Sequence, residues 1–237
     1  MSCRMLIAAG QFPMAQLLDD FKLMAQNKNE KHEYNKKGQD FKHKDGWGIV
    51  IRSSGRLEQY KNNVACWEDP RFSEYRDITT DLVILHARKA PQVNYNFTHP
   101  FQREGWYFCH NGTIHDFNNK EKTDSEQFFI MFLDILRKET DVKDAIRRAI
   151  NNTKSYSALN FILTNGEKAY ILNKHRKDRS GEEHPQYYTM KYLKNENCVI
   201  ISSEVLPNFS GEWVKIENNS LIELDLSSLE IMNYVNV

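Results

Sequence analysis

Cys3-Arg4-Met5-Leu6-Ile7-Ala8-Ala9 reads as a short buried strand, ended by Gly10, with a thiol at its head. A thiol is a strong nucleophile but only a few per cent ionised at neutral pH. A free α-amino group, with a pKa of about 7.7–8.0, can take its proton. A cysteine at the chain terminus would therefore carry nucleophile and base in one residue. Met1 and Ser2 stand in front of Cys3, and on its own a cysteine here reads more simply as a small apolar strand residue.

Outward from this strand, the periodicity predicts a helix over 14–26, an exposed Asn-, Lys- and Glu-rich loop over 27–44, and strands at 47–52 and 56–61 joined at Ser53-Ser54-Gly55. Asp81 to His86 and Trp106 to His110 are apolar strands. Helices are expected at 124–138 and 141–151. Strands follow at 158–163 and 169–172, joined by Asn165-Gly166, a strong hairpin signal. Further strands are expected at 187–193, 198–202, 213–216, 220–225 and 230–235. Strands, then two helices, then strands imply antiparallel sheets packed with helices, in the α+β class. The expected arrangement puts strand 3–9, the hairpin 47–61 and the strands ending at His86 and His110 in one sheet. Residues 158–235 would form the second sheet, with helices on the outer faces.

Composition bounds the function. A chain of 237 residues without a shift in composition is expected to be a single domain over 1–237. Lys+Arg and Asp+Glu both number 32, so no basic footprint marks a nucleic-acid or anionic-membrane partner. The basic run from Lys174 to Arg179 reads as a solvated loop. Four scattered cysteines (Cys3, Cys66, Cys109, Cys198) form no CxxC pair, which favours a reducing compartment over a disulfide framework. No segment is long enough to span a bilayer, and the protein is expected to be soluble and cytoplasmic.

Four segments could join Cys3 in chemistry: His43-Lys44-Asp45-Gly46-Trp47-Gly48, His86-Ala87-Arg88, His110-Asn111-Gly112 and Thr123-Asp124-Ser125-Glu126. An amide carbonyl needs a nucleophile, a base and donors for the developing oxyanion. Asn111-Gly112, on the turn after a strand, can aim a side-chain amide and a backbone N–H at one oxygen, though Asn-Gly is also a common plain turn. Arg88 can hold a carboxylate in a bidentate pair. Asp124 can accept from an ammonium, or serve as a helix cap.

The order of these segments resembles the class II glutamine amidotransferases, members of the N-terminal nucleophile hydrolases, over nearly the whole chain. The likeness is greatest to the small single-domain type, through Cys3-Arg4-Met5-Leu6, Asn96-Phe97-Thr98-His99-Pro100-Phe101 and Ile201-Ser202-Ser203-Glu204-Val205-Leu206. The resemblance implies a four-layer αββα sandwich and cleavage of the γ-amide of glutamine or a γ-glutamyl compound through a thioester. Cys3 would be the nucleophile, Asn111 and Gly112 the oxyanion hole, Arg88 the α-carboxylate clamp and Asp124 the acceptor for the α-ammonium. His43 to Gly48 would wall the nucleophile, with Trp47 and Gly48 equally readable as packing. No metal or cofactor is implied.

Two departures stand out. Family members usually begin Met-Cys, whereas trimming Met1 here would expose Ser2. No ammonia-using synthase domain follows, so ammonia would pass to a separate synthase subunit or simply be released. Two other readings remain: a non-catalytic γ-glutamyl-binding or regulatory module blocked by Met1-Ser2, and a metal hydrolase built on His86, His99, His110 and His115.

Overall fold

The computed structural model describes residues 2–35, 40–117, 119 and 121–237, with Ser2 described by its backbone. In chain order the elements are β1 (Ser2–Gly10), α1 (Met14–Ala25), β2 (Trp47–Ser53), β3 (Arg56–Asn62), α2 (Pro70–Glu74), β4 (Leu82–Lys89), β5 (Phe101–Arg103) and β6 (Trp106–Asn111). Then come α3 (Asp124–Leu136), α4 (Val142–Asn152), β7 (Asn160–Thr164), β8 (Lys168–Asn173), α5 (Pro185–Tyr188), β9 (Lys191–Lys194), β10 (Cys198–Ser202), β11 (Trp213–Lys215), β12 (Ser220–Asp225) and β13 (Ile231–Val235).

Side chains alternate along a strand, and here that alternation sorts the apolar residues into layers. Leu6 and Ala8 of β1 pack with Ile49, Val83, Leu85 and Ile200 against Leu17, Leu18 and Phe21 of α1. Met5, Ile7 and Ala9 face the other way, with Val50, Ile84, Val199 and Ile201, onto Cys109, Ile162, Ile171 and Ile222 of the second sheet. The far face of that sheet, with Phe108, Phe161 and Leu172, is covered by Phe128, Phe129 and Phe132 of α3 and Ile146 and Ile150 of α4. Three apolar layers thus separate four structural ones, giving an αββα sandwich.

The first sheet runs β11-β9-β10-β1-β4-β2-β3 and the second β13-β12-β8-β7-β6-β5. All pairings are antiparallel, and β1 lies centrally between β10 and β4. This corrects the expected division of strands. The strand ending at His110 lies in the second sheet, paired with β7, while residues 191–202 and 213–215 join the first. Alternation fixes which side chains face a core but is the same for either sheet, so the ladders choose membership.

Local chemistry explains the boundaries. Asn165 Oδ1 accepts from the backbone N–H of Glu167 and Lys168, and Gly166 has φ +91, closing the β7–β8 hairpin. The expected strand at 187–193 starts instead as a helical turn with Pro185 in its first turn, and pairing is confined to Lys191–Lys194. The cap of α3 is Thr123, whose Oγ1 accepts from Glu126 N at 3.1 Å, so Asp124 is the first helical residue. Part of the loop read as exposed folds inward: His32 and His43 are buried, and residues 36–39 lie outside the described set. Lys174, in the basic run, is engaged by Asn219 and the Val237 carbonyl rather than fully solvated. No helix among the described residues is long and apolar enough to cross a membrane.

Candidate active site

Cys3, the inward-facing residue at the end of β1, is only 1 % exposed. β10 stops pairing with β1 at Leu6↔Ser202, so beyond this point β1 takes its partners from loops and side chains. Ser203 covers Met5, its N–H and hydroxyl both donating to the Met5 carbonyl. At Cys3 two side chains replace the missing strand. Asn111 Oδ1 accepts from Cys3 N at 2.8 Å, and the Tyr187 hydroxyl donates to the Cys3 carbonyl at 3.0 Å. Burial pushes the thiol up to about 11, and the nearby Arg88 guanidinium opposes only part of that.

Arg88 sits directly across the ladder from Cys3 and is 2 % exposed. The Asp45-Gly46 segment wraps it: Arg88 N donates to Gly46 O at 2.8 Å, Asp45 N donates to Arg88 O at 2.9 Å, and Nη1 donates to Gln92 O at 2.7 Å. Gly46 has φ +125, and a Cβ there would lie 2.7 Å from Thr98 Oγ1. Burial lowers the Arg88 pKa, while Cys3, Asp45 and Asp124 favour its charged form. The guanidinium therefore shares one electrostatic neighbourhood with the thiol and with Asp124.

Asn111 closes β6, and Gly112 follows with φ +151. A Cβ on Gly112 would stand 2.0 Å from the Ala158 carbonyl oxygen, so this turn can be made only by glycine. Asp124, half-buried at the start of α3, accepts from Ile114 N at 2.7 Å and from Ser125 N at 2.9 Å. The structure thus brings Cys3, Arg88, Asn111, Gly112 and Asp124 to one end of the inter-sheet layer.

The four histidines behave differently. The His110 ring reaches Ser125 Oγ at 2.8 Å and the Ala158 carbonyl at 3.2 Å, which engages both of its nitrogens. His86 donates from Nε2 to the His110 carbonyl at 3.3 Å and stacks on His99, with ring centroids 4.3 Å apart. His115 lines a surface cavity of about 240 Å³ with Tyr34, Thr113, Ser157, Arg179 and Tyr188. This arrangement leaves the histidine-metal reading without a convergent ligand set among the described residues.

His43 reaches the surroundings of Cys3 through Tyr187, whereas Gly48 lies against the His99 carbonyl and Pro100, where a Cβ would not fit. Trp47 is a packing residue: its ring meets Phe72 and its Nε1 donates to Asp69 at 3.0 Å. Sequence reasoning missed Tyr187 and the buried ion pair of Arg4 with Glu204, whose Nε and Oε1 lie 2.7 Å apart. Both members of that pair fall inside the motifs that carry the resemblance, which was the available signal.

The family model of the class-II glutamine amidotransferases matches residues 30–185. A Haemophilus influenzae protein, itself a glutamine amidotransferase by inference, is 29% identical over 219 residues, covering 76% of this chain and 73% of its own. The solved class-II domain protein of Silicibacter pomeroyi superposes with a TM-score of 0.64 at 16% identity, covering 99% of this chain and 100% of that one. The glutamine phosphoribosylpyrophosphate amidotransferase of Bacillus subtilis gives 0.66 at 14% identity, with 99% of this chain spanning 49% of that one.

Proposed function

Because the chain belongs to the class II glutamine amidotransferases, we propose that it cleaves the γ-amide of glutamine or a γ-glutamyl compound through a thioester on Cys3. The observation that carries this reading is the 2.8 Å hydrogen bond from Cys3 N to Asn111 Oδ1, which joins the head of β1 to a turn 108 residues away. With Cys3 as the first residue, the nitrogen becomes an amine. Asn111 Oδ1 then accepts one of its N–H groups and directs the lone pair toward the thiol. The amine takes the thiol proton as sulfur attacks the γ-carbonyl carbon. The resulting oxyanion is met by Asn111 Nδ2 and Gly112 N–H. Collapse breaks the C–N bond, and the protonated amine of Cys3 gives its proton to the departing ammonia or amine. Water, deprotonated by the same amine, then opens the thioester to release glutamate.

Arg88 would hold the α-carboxylate and Asp124 the α-ammonium, opposite charges that both act on the thiol. Ammonia would leave free or pass to a separate synthase subunit. The test is glutamate release from glutamine and from γ-glutamyl amides, by a chain whose N-terminus has been fixed by mass spectrometry. Cys3→Ala should remove the activity while preserving the fold. Undiminished release by Cys3→Ala would refute the proposal.

One observation favours a second reading for a chain that keeps its first residues. Ser2 continues β1 and pairs with Lys89, and in a chain joined to Ser2 the Cys3 nitrogen is an amide without a basic lone pair. Such a chain would bind γ-glutamyl ligands without turning them over.

A further inference from the structure

We propose that Tyr187 is a positioning residue for the nucleophile, standing in for the strand that β10 fails to supply beside Cys3; this rests on the thioester reading above. In an antiparallel ladder the N–H and C=O of one residue lie on the same edge and bond the same neighbour. At Cys3 that neighbour has ended, and a buried carbonyl needs a donor. The Tyr187 hydroxyl, from 184 residues away, provides it at 3.0 Å.

The direction of the hydrogen bonds follows. A carbonyl can only accept, so Tyr187 gives its proton to Cys3, and its oxygen is left able to accept from His43 Nε2, 3.1 Å away. Burial keeps His43 neutral, and its one ring proton has two acceptors in reach, the tyrosine oxygen and the Ala25 carbonyl 3.3 Å from Nδ1. Tyr187 thus fixes the carbonyl of the nucleophilic residue. Asn111 fixes its nitrogen. With both backbone groups held, the Cα–Cβ bond keeps one direction, and the sulfur is confined to the χ1 rotamers about it.

Tyr187 is itself held rigidly. Its ring is fully buried, with the Arg4 guanidinium 3.9 Å from the centroid. Arg4 Nη1 donates to the Tyr187 carbonyl at 3.1 Å. Arg4 is anchored by the ion pair to Glu204, and Glu204 Oε2 in turn accepts from Glu30 N at 3.0 Å. Glu33 receives the backbone N–H of Gln186 and Tyr187 at 2.7 and 3.0 Å. Loop 27–35, the segment after β10 and α5 are thereby tied to the residue after the nucleophile.

The test is Tyr187→Phe, which keeps the ring and deletes the hydroxyl, assayed for glutamine hydrolysis beside Cys3→Ala. The expected result is a fall in kcat of about tenfold or more from a misaimed thiol, with KM within about twofold of the unsubstituted enzyme. Unchanged kcat, or an equal loss in kcat and affinity, would overturn the positioning role. If Tyr187→Phe does not fold, a fluorinated tyrosine at 187 retains shape and hydroxyl and alters only donor strength. In that experiment kcat must move while KM stays. A Cys3→Ala chain that still hydrolyses glutamine would instead bring down the thioester reading, so the two failures are distinguishable.

Discussion

In the seven-stranded sheet, Cys3 and Arg88 are ladder partners on adjacent strands, each fixed by pairing over eight registered positions. In the six-stranded sheet, Asn111 is the last strand residue and Gly112 lies beyond it, in a backbone conformation set by the approach of the Ala158 carbonyl. One sheet holds its charged and nucleophilic groups by register, and the other holds its donors by a turn. Register tolerates a changed side chain, because the backbone ladder survives it. A turn at φ +151, with no room for a Cβ, does not. The seven-stranded side should therefore fail chemically while staying folded, and the six-stranded side should fail in geometry.

The largest expected effect is on the first sheet and involves its backbone end. A chain beginning at Cys3 should exceed one retaining Met1 and Ser2 in glutamine turnover by about 10²–10⁴-fold, the usual contribution of a positioned base. Equal rates with verified termini would mean that another group deprotonates the thiol. On the second sheet, Asn111→Ala should lower kcat by about 10²–10³-fold. Gly112→Ala should do at least as much and also lower the melting temperature, since its Cβ would collide with backbone. A Gly112→Ala enzyme of ordinary stability and rate would break the comparison.

A smaller effect separates binding from chemistry. Arg88→Lys keeps the charge but loses the forked donor pair. It should raise KM for glutamine about tenfold, with kcat changed less, and should barely affect amides lacking an α-carboxylate.

The smallest effect is in stability. Burial lowers the His86 pKa to about 3, and His99 and His43 are lowered too. Each takes up its proton more readily when unfolded, so their contribution is complete above about pH 6.5 and is lost as pH falls toward 3. Denaturant titrations should show stability declining across that window by up to about 1.4 kcal/mol per pH unit for each histidine. His86→Phe should flatten the slope by one proton, and an unchanged slope would assign the acid sensitivity elsewhere.

Most elements were legible because alternation along β1, β4 and β7 and the helical spacing of Phe128, Phe129 and Phe132 are properties of the local sequence. Sheet membership was not. β6 and β10 have the same apolar alternation, and only pairing with β7 or with β1 separates them. For the site, the Asn-Gly turn and the strand-end arginine were visible as residue types. Their convergence on Cys3 depends on which end of each strand faces the other sheet. Tyr187 gave no local signal at all: it lies in an apolar stretch that reads as strand, and its importance arises from packing against Cys3 and Arg4.

The measurement that bears most directly on the central claim is covalent labelling by a glutamine-shaped electrophile, followed by peptide mapping of a chain that begins at Cys3. The account predicts stoichiometric modification of Cys3, none at the buried Cys66, Cys109 or Cys198, and protection by glutamine. Labelling of another residue, or an unreactive Cys3 in a folded chain with a free amino terminus, would contradict it.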